Sequence, residues 1–377
     1  MRWLYLFLLL LLPTSAEAAW YEAKTRHFVI YSSGSEKALR DFSIKVERFD
    51  TFLRRRFLVS DDDASQRWTI FLLSSSDEVQ RAHGGGKYAR DVAGFYNGAV
   101  TGSLAVVNRV RSSEAGELDG DIILFHEYAH HFMLHYFPAA YPAWYVEGFA
   151  EFLATTEFTP EGNAKLGIPA QHRAYGILLG KPFKTEALFT KAIGDIPSED
   201  HDAFYGRSWL LVHYLDHVAA RSGQLKKYLL DINAGKASID AARSAFGDLK
   251  LLDKDLSAYL AGRLSYSTEV RSTPPPDTVS ITALDPAASA IVPLRLRSMR
   301  GVDPDEAKDL VPKFKAIADK YPGSADAWYW LAQGYADADR DGDALIAADA
   351  AIKIDPMLSR ALLLRGEIAV RKLVKDK

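Results

Sequence analysis

Apolar residues along this chain switch between the two-residue repeat of a strand and the 3.6-residue repeat of a helix, and the switches mark its elements. His27-Phe28-Val29-Ile30-Tyr31 alternates and is rich in β-formers, which predicts a strand; His27 is read as a half-buried strand residue rather than a ligand. Glu36 to Phe57 carries Leu39, Phe42, Ile44, Val46, Phe49 and Phe52 at an approximate helical period, and Trp68 to Leu73 is a second apolar strand. Ala93 to Tyr96 and Ser103 to Asn108 read as two more strands around an Asn97-Gly98 turn. Leu118, Ile122, Phe125, Ala129, Phe132 and Met133 form the apolar stripe of a helix. Pro138 and Pro142 then break the chain, and Ala143 to Thr156 predicts another helix. Asn163 to Gly180 is loop-rich and Pro182 to Lys191 a short helix; Asp202 to Val218, Ser238 to Phe246 and Leu251 to Leu264 complete the helical half. The expected fold class is α+β: a mixed N-terminal sheet with a helical half, then an all-α tail.

With 377 residues the chain has room for two domains. Its 48% hydrophobic and 25% charged residues are ordinary for a soluble globular protein. A net charge of -3, with no basic cluster interleaved with aromatics, gives no reason to expect nucleic acid or an anionic membrane surface as partner. Residues 1–18 read as a secretory signal peptide. Arg2 is its positive start, Trp3 to Leu12 its apolar core, and Ala16-Glu17-Ala18 its cleavage site. Cleavage there predicts a periplasmic or secreted bacterial protein with no stable membrane span. The absence of cysteine removes disulfides and thiolate ligands.

The chemistry concentrates between Asp121 and Glu151. His126-Glu127-Tyr128-Ala129-His130 is an H-E-x-x-H motif, and on a helix residues four apart project from one face. Two imidazoles so placed suit one tetrahedral Zn²⁺, with Glu127 beside them as general base toward a water on the metal. A catalytic zinc takes three protein ligands. The pattern that continues x-x-G-x-x-H is excluded, because Met133 and Tyr136 stand where Gly and His are needed. A carboxylate from the following helix is the other solution, which assigns Glu147 as third ligand. Glu151, one turn on, is expected to take a hydrogen bond from the far nitrogen of a ligand histidine. Gly84-Gly85-Gly86-Lys87 is not a phosphate loop, since Arg81 and Tyr88 break the pattern.

His126-Glu127-x-x-His130 followed by Trp144-Tyr145-Val146-Glu147-Gly148-Phe149-Ala150-Glu151 resembles the gluzincin zinc metallopeptidases, the thermolysin and aminopeptidase N branch of the zincins. The wording is most similar to secreted bacterial members of the peptidase MA-like group. The resemblance is sharp over Asp121 to Phe152, weaker over Trp20 to Leu264, and stops before the C-terminus. It implies a zincin-like catalytic domain over 19–264, one zinc ion and hydrolysis of peptide bonds in a peptide or protein substrate. It also implies a sheet edge that pairs with the substrate backbone, here Ser103, Leu104, Ala105, Val106, Val107 and Asn108, with an ordinary core strand as the alternative. The G-x-M-E-N motif that aminopeptidase relatives use for a free α-amine is missing, which argues against an N-terminal exopeptidase and leaves an endopeptidase as the expectation. Relatives carry a transition-state tyrosine some tens of residues past the third ligand. Tyr205 matches that position, with His213 as its competitor.

Residues 265–292, with Pro274-Pro275-Pro276, read as a linker to a tail over 293–377. In that tail Trp328, Leu331, Tyr335, Ala344, Ala351 and Pro356 fall in the register of a 34-residue tetratricopeptide-like repeat. Such a short tail implies packing against the catalytic domain or a protein partner, with a helical cap that binds nothing as the alternative. It also supplies the alternative function: a non-catalytic envelope assembly protein that keeps its zinc. A third reading keeps the hydrolytic site but directs it at a peptidoglycan cross-link.

Overall fold

The computed structural model describes residues 19–60, 67–84, 94–97, 104–109, 120–180, 182–269 and 279–375. The chain is mixed α+β and divides into two units, one of Ala23–Ile281, the other of Met1–Glu22 with Thr282–Lys377. No helix among the described residues is long and apolar enough to cross a membrane. The signal-peptide reading of 1–18 lies outside the described residues, as do Ser103, Leu118 and the triple proline.

The larger unit is built on strands β1 (Tyr21–Lys24), β2 (Phe28–Ser32), β3 (Trp68–Leu73), β4 (Gly94–Asn97) and β5 (Leu104–Asn108). They lie in the order β4-β5-β3-β2-β1, followed by β9 (Ser280–Ala283). Helix α1 (Glu36–Phe57) is the crossover between the parallel strands β2 and β3. The Ser35 hydroxyl starts it by accepting from the Ala38 amide, and Leu58 ends it in the left-handed region at φ 56°. Parallel strands are covered on both faces, so β3 and β5 read as continuous apolar runs, and Leu104, Ala105, Val106 and Val107 are fully buried.

That arrangement corrects the substrate-strand expectation. β5 pairs parallel with β3 on one side and antiparallel with β4 on the other. Residues Leu104 to Val107, paired on both sides, therefore have no free backbone edge to offer a peptide. At that end of the described sheet the outermost strand is β4. Chain order places β5 next to the site helix, but the long-range β3–β5 pairing decides which strand is outermost.

Helix α2 (Ser76–His83), which the apolar pattern does not announce, follows β3. Then come α3 (Gly120–Tyr136) and α4 (Ala143–Ala154), within a residue or two of expectation. A small sheet of β6 (Glu157–Phe158), β7 (Ala164–Leu166) and β8 (Ser267–Glu269) follows, with one 3-10 turn at Gln171–Arg173 and one π turn at Tyr175–Leu179. Helices α5 (Thr185–Leu188), α6 (His201–His217), α7 (Gln224–Asn233), α8 (Ser238–Phe246) and α9 (Leu249–Ala261) complete the unit. Trp144, fully buried at the start of α4, donates its indole N–H to the Tyr228 hydroxyl of α7 at 3.0 Å and so fixes the entry of α4.

The second unit is helical: α10 (Pro286–Arg300), α11 (Pro304–Lys320), α12 (Ala325–Asp337), α13 (Asp341–Ile354) and α14 (Ser359–Lys375). The linker expected over 265–292 is corrected here, since β8, β9 and the first half of α10 occupy its described part. Strands of three or four residues leave no readable period. The start of α10 is written locally, with Asp285 capping the Ala288 amide and Pro286 in the first turn. Phe314, Trp330, Leu331 and the alanines Ala344, Ala347 and Ala348 form its core. Gly334 admits Phe314, whose ring lies 2.8 Å from where a Cβ would be.

Candidate metal centre

α3 carries His126 and His130 on one face, and α4, entering after Pro142, presents Glu147 to it. His126 Nε2 and His130 Nε2 are 3.0 Å apart, and Glu147 Oε2 lies 3.4 Å from each. Three donor atoms at tetrahedral angles around a zinc, each about 2.0–2.1 Å from it, would stand about 3.3–3.4 Å apart. The triangle therefore fits the ion, and its donor set of two imidazoles and one carboxylate suits zinc chemistry. Two imidazole nitrogens this close need a cation or a proton between their lone pairs.

Behind the triangle stands Glu151, 1% exposed. Its Oε1 lies 3.3 Å from His126 Nδ1 and accepts from Arg173 Nη2 at 2.6 Å; its Oε2 accepts from His172 Nε2 at 2.8 Å. Burial alone would raise the Glu151 carboxyl, but these donors hold it well below the ordinary range. Arg173 also bonds Asp202 at 3.2 Å and lies 4.8 Å over the Tyr205 ring. His130 Nδ1 is buried without a partner among the described residues, so only His126 is braced from behind. His172 and Arg173 escape sequence reasoning because a 3-10 turn has no period to read. The available signal was the need of a buried Glu151 for a nearby cation.

The electrostatics follow from this crowding. Burial works against a charged His126, yet hydrogen bonds to Glu147 and Glu151 outweigh it and lift the imidazole to about 10. Burial would raise Glu147 too, and its bonds to both histidines instead bring it to about 2. Glu127 accepts no hydrogen bond among the described residues. Burial, with Glu147 and Glu151 adding to it, holds its carboxyl above the ordinary range although His126 and His130 pull it down. Tyr205 is raised by burial and by the charges of Glu147, Glu151 and Glu127, so it keeps its proton. His213, the competing donor, is placed elsewhere. Its Nε2 donates to the Gly167 carbonyl and its Nδ1 accepts from the Tyr259 hydroxyl, both at 2.9 Å.

α6 brings Tyr205 to α4 across Gly148. A Cβ there would lie 2.7 Å from the Ser208 carbonyl oxygen, so only glycine allows the two helices this approach. A cavity of about 860 Å³ lies against another face of α4 at Tyr145, Phe149 and Phe152 and touches none of the three candidate ligands. The donor triangle, not a cavity, marks the candidate centre.

A second group of metal-ligating types, His27, Glu47 and Asp50, is fully buried. The His27 amide and Nδ1 donate to Glu47 at 2.8 and 2.9 Å, and Nδ1 also lies 3.1 Å from Asp50. Arg54 Nε donates to both Asp50 oxygens at 3.0 and 2.8 Å, and the Tyr128 hydroxyl to one of them at 2.5 Å. His27 precedes β2 rather than lying within it. Asp50 is thus committed to Arg54 and Tyr128, and Glu47 to His27.

No protein-family model matches the chain, and no curated protein matches it.

Proposed function

We propose that the protein is an exported zinc-dependent peptidase with a zincin-like catalytic unit and His126, His130 and Glu147 as metal ligands. The observation that carries this reading is the donor triangle of 3.0 and 3.4 Å edges with Glu127 beside it. Zinc bound there would supply a Lewis acid that polarises the scissile carbonyl and acidifies water.

The remaining steps belong to the chain. Glu127, with its raised pKa and unclaimed oxygens, takes the proton of the attacking water and passes it to the leaving amine nitrogen. Tyr205 keeps its hydroxyl proton and donates a hydrogen bond to the carbonyl oxygen as charge builds on it. Glu151, braced by His172 and Arg173, holds the His126 ring so that Nε2 faces the metal position. An extended substrate backbone pairs with the outer side of β4, Gly94 to Asn97, in place of β5. Helices α10 to α14 are read as a tetratricopeptide-like region that engages a protein partner.

Glu127→Gln tests the reading. It should retain one zinc per chain and lose about 10²- to 10⁴-fold in turnover of an unfolded protein substrate such as casein. A zinc-loaded wild-type chain that cleaves nothing more than this variant does would leave the non-catalytic alternative standing.

A further inference from the structure

A cavity of about 650 Å³ lies between α1, α3 and the segment after α4, on the side of α3 away from Glu127. Its apolar wall is Ile44, Ile122, Phe125, Phe158 and Ile168. Three carboxylates also line it, and each has a lysine of its own: Asp41 with Lys37, Asp121 with Lys45, and Glu157 with Lys165. Arg48 is different. Its guanidinium lies 5.7 Å over the Phe158 ring, its Nε is buried, and among the described residues it makes neither an ion pair nor a hydrogen bond. Thr156 Oγ1 and His172 Nδ1, on two further wall residues, are likewise buried without partners among the described residues.

A half-buried guanidinium without an acceptor is costly, and its fork matches a carboxylate in two parallel hydrogen bonds. The volume falls within the usual range for small-ligand sites, and the aliphatic and aromatic walls suit an apolar body. The geometry points to a binding site for a small monocarboxylate with an apolar body, its carboxylate on Arg48. The source is either a free short-chain acid or the C-terminal carboxylate of a short peptide. The site is separate from the metal triangle and does not depend on the peptidase reading. The two share a wall residue, because His172 lines this cavity and also donates to Glu151.

The test is calorimetric titration of the full chain, as purified and after chelation, with hexanoate and N-acetyl-leucine. The neutral analogues hexanamide and N-acetyl-leucinamide serve as controls. Each acid should bind saturably at one site, about tenfold or more tighter than its amide, with or without chelator. The ratio between the two acids separates the free acid from the peptide end. Arg48→Gln should reduce the acids to the level of their amides, Arg48→Lys should recover part of the preference, and Lys226→Gln at the larger cavity should change nothing. Equal binding of acid and amide would overturn the site. So would full affinity in a folded Arg48→Gln chain, or binding abolished by chelation.

Discussion

Among the described residues two sets of histidine and carboxylate side chains have donor atoms within 4.8 Å of one another, and their surroundings differ. Around His27 the side chains of His27, Glu47 and Asp50 are 8%, 3% and 0% exposed, and the acids are met by Arg54, Tyr128 and the His27 backbone. Around His126 the three candidate ligands are 15%, 12% and 16% exposed, and their donor atoms face one another with no cationic side chain between them. Residue type does not separate the two clusters. What separates them is unused bonding capacity: the carboxylates of the first are already held by Arg54, Tyr128 and His27, and the donor atoms of the second converge on a single point. Both touch the same helix, since Tyr128 sits inside the H-E-x-x-H stretch and reaches Asp50 from its buried face.

This contrast can be broken most sharply by removing one acid from each cluster. Glu147→Ala should abolish stoichiometric zinc binding, read by metal analysis of the purified chain. Asp50→Ala should do the reverse, costing about 3–5 kcal/mol in denaturant unfolding by leaving Arg54 buried and unpaired, with one zinc still bound per folded chain. A smaller effect is expected one layer out, where Arg173→Ala loosens Glu151 and weakens zinc about 10- to 100-fold in a chelator competition.

Proton linkage separates the clusters more finely. Without metal His126 is protonated up to about 10, and zinc requires the neutral ring, so apparent affinity should rise about tenfold per pH unit between neutrality and that value. Glu147, at about 2, is already ionised and contributes no proton. Calorimetry in buffers of different ionisation heat should find about one proton released per zinc. At the other cluster burial opposes a charged His27, but Glu47 and Asp50 raise it above its ordinary 6.5. Its stabilisation is therefore complete below about 6.5 and is lost as pH rises through the folded value. In His27→Gln that loss on the alkaline side should vanish from denaturation curves, with the zinc profile unchanged.

The parts of this molecule that sequence reveals are those whose cause is local. The period of α1, the apolar run of β3 and the prolines between α3 and α4 each act within a few residues, and the elements lie where these signals put them. The i,i+4 spacing of His126 and His130 is equally local, and so is the start of α4 that carries Glu147. What was hidden depends on partners distant in sequence. The choice of β4 over β5 as the outer strand rests on β5 pairing with β3, about 35 residues earlier. The committed nitrogens of His213 depend on Gly167 and Tyr259. His172 and Arg173 sit in a single turn with no repeat to give them away, and the arginine core around His27 shows only once α1 is folded against the strand entry.

Gly148 has a consequence beyond packing. It lies between the two glutamates of α4, where the missing side chain sets how far the wall bearing Glu147 stands from the wall bearing Tyr205. A methyl added there would push α4 and α6 apart. On the proposed reading this single position gauges the width of the gap between the metal ligands and the Tyr205 hydroxyl.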